Sequence, residues 1–183
     1  MKTQGTPPDG AGHGSYMGFT LIELLITIAV ATILLTVAAP NFRDFLLNSR
    51  VTTQTNEFVL ALAYAKSEAV KRNSPVTACS RNNNTTCANS TTWDTGWLVF
   101  ADTDADGTVD AGEVVLQVRA PLEGNNTLRA GARQRVTFRN TGFTPGFNDT
   151  FNLCDSRGAA NGRNIVVSAQ GRVTSQVGAV ACP

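Results

Sequence analysis

The chain has 183 residues, a formal net charge of +1 and a single histidine, at position 13. Charge this balanced excludes a partner selected by net charge alone, and the remote histidine leaves no imidazole for acid–base or metal chemistry in the rest of the sequence. The length suits one anchoring element and one small globular head.

Residues 1–17 are rich in Gly, Pro and polar side chains and read as disordered. Gly18-Phe19-Thr20-Leu21-Ile22-Glu23 then opens an apolar run over 21–39 that one charge, Glu23, interrupts. As a helix the run is about 28 Å long, close to the hydrocarbon thickness of a bilayer. A carboxylate at that depth costs roughly 2.5–3.5 kcal/mol and calls for a partner. No Lys or Arg lies between Lys2 and Arg43. A cut after Gly18 would supply one, an ammonium at Phe19 one helical turn from Glu23. A secretory signal peptide cut after Ala39 is the competing reading. Against it stand Pro40 at the position after the cut and an n-region poor in positive charge. A plain membrane anchor leaves Glu23 without a role.

From Phe19 to about Asn73 the pattern reads as one long helix. Pro40 removes an amide donor and is expected to kink it. Beyond the proline, Phe42, Phe45 and Leu46 share one face, and Phe58, Leu62, Ala65 and Ala69 continue a helical stripe that should lie against the head. Asn73-Ser74-Pro75 stops the helix. The pattern then changes to short β-like runs at 76–79, 96–101, 114–119, 136–138, 151–154, 164–168 and 172–174, separated by Gly, Asn, Asp and Pro. The expected fold is therefore α+β, with the helix packed on an antiparallel sheet or small sandwich.

Four cysteines fall in this head, Cys79, Cys87, Cys154 and Cys182. An even number beyond a membrane segment points to disulfides in an oxidising compartment. Three pairings are possible, and chain order favours Cys79–Cys87 with Cys154–Cys182. A zinc site is the alternative, but no Cys-x-x-Cys pair is present. With no Gly-rich phosphate loop either, the sequence offers little enzyme chemistry, and no cofactor is required.

One stretch has metal-ligand spacing. Asp102, Asp104, Asp106, Gly107 and Glu113 satisfy D-x-D-x-D-G-x5-E. In that scheme the four acids are side-chain ligands for calcium, Thr108 offers a carbonyl, Asp110 takes the ninth position and Gly107 makes the sharp turn. The flanks read as strands, not helices, so a solvated Asp/Gly turn is the competing reading. Charge is also unevenly spread. Six acids and one base lie in 74–113, against eight arginines and three acids from 114 onward, which raises a basic face as a possibility.

The residues from Gly18 onward, GFTLIELLITIAVA, resemble the leader junction and N-terminal helix of type IV pilins and type II secretion pseudopilins. The resemblance implies cleavage between Gly18 and Phe19 by a prepilin peptidase, N-methylation of Phe19, and pairing of Glu23 with a neighbouring subunit's N-terminus. The leader departs from the family in lacking a basic residue close to Gly18. Three further stretches narrow the likeness to the GspH/FimT group of minor pilins. They are LAYAKSEAVKR at 62–72, GWLVF at 96–100 with its Asp-rich turn and Gly112-Glu113, and IVVSAQGRV at 165–173.

The implied organisation is a leader at 1–18, a helix at 19–73 (transmembrane over 19–39, amphipathic over 40–73) and a periplasmic β-rich head at 74–183. The implied place is the bacterial inner membrane in a single pass, then a pilus or pseudopilus filament of other pilin subunits. DNA is the alternative partner, since some relatives bind it through Gly-Arg-x-Arg. Here the stretch is Gly171-Arg172-Val173-Thr174, without the second arginine. Arg157, Arg163 and Arg172 are the candidate DNA residues, with Arg129, Arg133, Arg135 and Arg139 as further charge. No aromatic side chain interleaves the first three to give a stacking platform.

Overall fold

The structure, a computed structural model, describes residues 18–178 and 180–182. The expected leader, apart from Gly18, lies outside the described residues. One helix, α1 (Leu21–Arg72), is followed by eight strands. They are β1 (Val76–Ser80), β2 (Trp97–Ala101), β3 (Val115–Arg119), β4 (Thr127–Ala130), β5 (Arg135–Phe138), β6 (Asp149–Cys154), β7 (Arg163–Val167) and β8 (Val173–Val177), with one 3-10 turn, Ala159–Asn161, before β7. The fold is α+β. By compactness the chain divides into two units, Met1–Arg43 and Asp44–Pro183.

Both ends of α1 are set by local chemistry. Thr20 accepts the Glu23 amide on its hydroxyl at 3.3 Å, satisfying one of the free donors of the first turn. At the other end Asn73 takes a left-handed φ of 52°. The Ser74 amide donates to the Ala69 carbonyl and the Asn73 amide to the Val70 carbonyl, both at 3.2 Å. This is the paired C-terminal closure that a left-handed residue permits. Pro40 lies inside α1 without ending it.

In the unit Asp44–Pro183, the later turns of α1 bury Val51, Gln54, Thr55, Phe58, Ala61, Leu62, Ala65, Glu68 and Ala69. The strands form two four-stranded antiparallel sheets, in the orders β3-β2-β1-β5 and β4-β6-β7-β8. The main core joins the helix to both. Phe58 meets Trp93, Trp97 and Phe151 edge-on at centroid distances of 5.5, 5.0 and 4.9 Å. Ala78, Val99 and Val136 come from the first sheet, and Leu128, Leu153 and Ile165 from the second. Edge-to-face aromatic contacts add to the area they bury.

β1 and β2 are buried at every position. Their second face carries a smaller core of Cys79, Leu98 and Phe100, covered by Cys87, Val109 and Val115. Val109 belongs to the acidic turn between β2 and β3, so that turn roofs part of the first sheet. Cys79 is bonded to Cys87, and Cys154 to Cys182. The first bridge fastens the loop after β1 over the same face, and the second ties the chain's last described residues to β6.

Three sequence expectations need correction. β4 was not foreseen. Its sequence TLRA holds one large apolar residue, and its strand character comes from pairing with β6. β8 extends to Val177, past the expected end at 174, because its mostly polar, exposed residues are held along β7. Phe45 and Leu46 remain 65% and 48% exposed, and the buried stripe of this unit begins at Val51.

Candidate functional sites

Gly18, Phe19 and Thr20 precede the first turn of α1 and are exposed. A methyl group added at Gly18 would meet nothing within 4 Å among the described residues. Thr20 and Glu23 stand in the T-x-x-E spacing of a helix start, which gives Glu23 a local physical role in the chain's own first turn. A carboxylate in the first turn also faces the positive end of the helix dipole. Behind it, Leu21, Ile22, Leu24, Leu25, Ile26, Ile28, Val30, Ile33, Leu34, Leu35 and Val37 are all at least half exposed. This part of α1 is long and apolar enough to cross a membrane, and no other described helix is.

The acidic turn begins where β2 ends. Asp102 is fully buried. Its Oδ2 accepts the Thr77 hydroxyl at 2.5 Å and the Gly107 amide at 3.1 Å. Thr77 has one hydroxyl proton and gives it to Asp102, so Thr137, 2.6 Å away, donates in turn to Thr77. The turn is thus moored to β1 and β5 by a chain of side chains. Asp102 Oδ1 is out of solvent and without a hydrogen-bond partner among the described residues.

Carboxylate oxygens of Asp102, Asp104 and Asp106 lie within 4.8 Å of one another. Gly107 supplies the sharp bend with a φ of 79°. Glu113 is not in that trio. One of its oxygens accepts the Thr103 amide at 2.7 Å, the other the Asp110 amide at 3.1 Å, closing the mouth of the turn. Burial pushes the Asp102 carboxyl above the ordinary carboxylate range, against the bonds from Thr77 and Gly107. The charge of Asp106, then burial and the charge of Asp104, push Asp110 up as well.

The three candidate DNA arginines do not form one cluster: Arg157 and Arg163 lie near one stretch of α1 and Arg172 near another. Arg157 is fastened to Asp155 at 2.6 Å, donates to Asn48 at 2.8 Å and lies 3.6 Å from Asp44. Arg163 donates to Thr52 at 3.1 Å. Both therefore sit beside residues 44–52 of α1. Arg172 follows Gly171, whose carbonyl accepts from Lys66. Residues 48 and 66 are about 27 Å apart along a helix. A different basic group does assemble. Arg133, Arg135 and Arg139 line a groove of about 420 Å³ with Phe147, and the Arg133 guanidinium stands 5.9 Å from the Phe147 ring centre. Arg129, by contrast, is paired with Asp94. Sequence proximity singled out the first three, whereas strand pairing and the turn after β5 gather the groove.

An apolar N-terminal helix whose later turns pack on antiparallel sheets is the architecture of pilin-like structural subunits. The chain belongs to the GspH family, described as type II transport protein GspH, which matches residues 54–171. Two crystal structures of the type IV minor pilin FimU from Pseudomonas aeruginosa (strain PAO1) share the fold, each at 22% identity. One has a TM-score of 0.58 and covers 72% of this chain and 92% of that one. The other has a TM-score of 0.54, with 68% and 91% covered. No curated protein matches the chain.

Proposed function

We propose that this chain is a minor subunit that primes or joins a pilus-like filament. The family description favours a type II secretion pseudopilus over a type IV pilus. A prepilin peptidase cuts between Gly18 and Phe19, and the new N-terminal Phe19 is methylated. Residues 19–39 hold the subunit in the inner membrane, with the head in the periplasm, until they pack among other subunits' helices. The observation that carries this reading is the run of exposed large apolar side chains from Phe19 to Val37, on a helix long and apolar enough to cross a membrane. Such a surface needs lipid or other apolar helices.

Glu23→Ala gives the test. It removes a charge from the apolar run, so insertion and cleavage should persist. It also removes the partner of a neighbour's Phe19 ammonium, so entry into sheared filaments should fall at least tenfold, corresponding to about 1.4 kcal/mol. Mass spectrometry of membrane extracts should find methyl-Phe19 in both proteins. An N-terminus at Pro40, or full filament entry of the variant, overturns the reading.

The groove lined by Arg133, Arg135 and Arg139 favours a second reading, in which the head binds DNA. Three cations lining one groove can neutralise phosphates. Gel shifts of the full chain in detergent should then show retardation that weakens steeply with salt. Arg135→Ala plus Arg139→Ala should reduce it about tenfold or more, and Arg157→Ala should not. No retardation at low salt removes this reading and leaves the assembly role.

A further inference from the structure

The turn between β2 and β3 places five carboxylates, Asp102, Asp104, Asp106, Asp110 and Glu113, in twelve residues. None of the five forms an ion pair with a described Lys or Arg. Arg135 packs its stem and guanidinium over Gly107 and forms no ion pair with any of them. Three of the carboxylates converge, with oxygens within 4.8 Å of one another.

Asp102 supplies a separate reason to expect an occupant. It is fully buried, and its Oδ1 is shut off from water with no donor, while Oδ2 already accepts two hydrogen bonds. A buried carboxylate oxygen without a donor is costly unless a cation meets it.

We infer that this turn is a calcium site in the head, with Asp102, Asp104 and Asp106 as its primary ligands. It goes beyond the assembly role and does not depend on it. The donors are all hard oxygens, which suit calcium and not zinc. The motif spacing adds the Thr108 carbonyl and the Asp110 carboxylate, and Glu113 can contribute by giving up its amide partners at the mouth of the turn. Magnesium demands a tighter octahedron and gives up its water reluctantly, so the site discriminates between the two ions. Occupancy reaches the core by a short path. Val109, inside the turn, covers Leu98 and Phe100, and Asp102 is bonded through Thr77 to Thr137. Fixing the turn therefore braces β1, β2 and β5.

The test uses the full chain in detergent, stripped with a chelator, and titrated with calcium alone or magnesium alone at matched ionic strength. Calorimetry should give a calcium Kd on the order of 10⁻⁴–10⁻³ M, the range of extracellular calcium modules. Ten Kd of calcium should raise the melting temperature of the head by about 4 °C, and magnesium should not. Asp104→Asn plus Asp106→Asn changes two exposed side chains, so the metal-free melting temperature should hold while calcium affinity falls at least tenfold. If that pair fails to fold, Asp104→Asn alone is read the same way. No heat and no calcium-dependent shift, an equal shift with magnesium, or an undiminished shift in the variants each overturns the assignment.

Discussion

The two stretches of α1 solve opposite problems with the same backbone. Over 21–43 the side chains are mostly apolar and all exposed. Over 51–69 a mixed sequence buries nine side chains against two sheets, including Gln54, Thr55 and Glu68. Apolar character and burial within the chain are thus inverted along one helix. The first stretch is hydrophobic all round, which marks a helix meant for lipid or other helices. The second is narrowly striped, and its buried polar groups are each satisfied. Gln54 donates to the Glu123 carbonyl at 2.9 Å and accepts from Asn126 at 2.7 Å, and Thr55 returns its hydroxyl to the Val51 carbonyl. Hydropathy alone would assign the core to the wrong end of the helix.

The largest effect should come from testing that inversion directly. Phe58 is fully buried among Trp93, Trp97 and Phe151, and Phe45 on the same helix is 65% exposed. Phe58→Ala leaves a cavity where three rings converge and should destabilise the head by about 3–5 kcal/mol. Phe45→Ala should change stability by less than about 0.5 kcal/mol. Thermal melts of both variants in detergent measure the difference, and filament fractionation reads the complementary outcome, in which Phe45→Ala is the variant folded but poorly incorporated. Equal destabilisation by the two would break the contrast.

How much of this was visible in the sequence follows from the range of the interactions. The stripe Phe58, Leu62, Ala65 and Ala69 announced itself because helical period and burial coincide there. Gln54 carried no such mark. Its burial depends on Asn126 and Glu123, some seventy residues on, and polar character pointed the other way. β4 was invisible for a related reason, since its strand is made by β6 and not by its own residues. At the acidic turn, spacing revealed the ligand set, but not that Asp102 is buried or moored to Thr77 from another strand. The sequence could not give the spatial placing of the arginines, because distance along the chain is not distance in space. Arg157 and Arg163 turned out to fasten the β6–β7 region to α1, through Asn48 and Thr52.

The smaller effect concerns the two helix carboxylates, which differ as the two stretches do. No Lys or Arg lies closer to Glu23 in the sequence than Arg43, whereas Glu68 holds two. Arg72 donates to Glu68 at 2.7 Å and Lys71 at 3.3 Å, and the Glu68 side chain is 9% exposed. The Arg72 hydrogen bond lowers the Glu68 pKa from its ordinary 4.5, outweighing the opposing effect of burial, with Lys71 adding to the lowering. A carboxyl with a lowered folded-state pKa contributes stability that is fully present above its unfolded pKa. That contribution is lost as pH falls through the lower folded value. Because Lys71 and Arg72 reach into solvent, the contribution is small and screened by salt. Glu68→Gln should therefore melt below the native chain at pH 7, and the gap should close as pH drops below 4.5. Asp102 acts in the opposite sense, its raised pKa making protonation favourable to the fold, but it is common to both proteins and cancels in the difference. A gap that stays constant through the acid range would show that Glu68 matters through its packing and not through its charge, making this position more like the apolar stripe beside it than like Glu23.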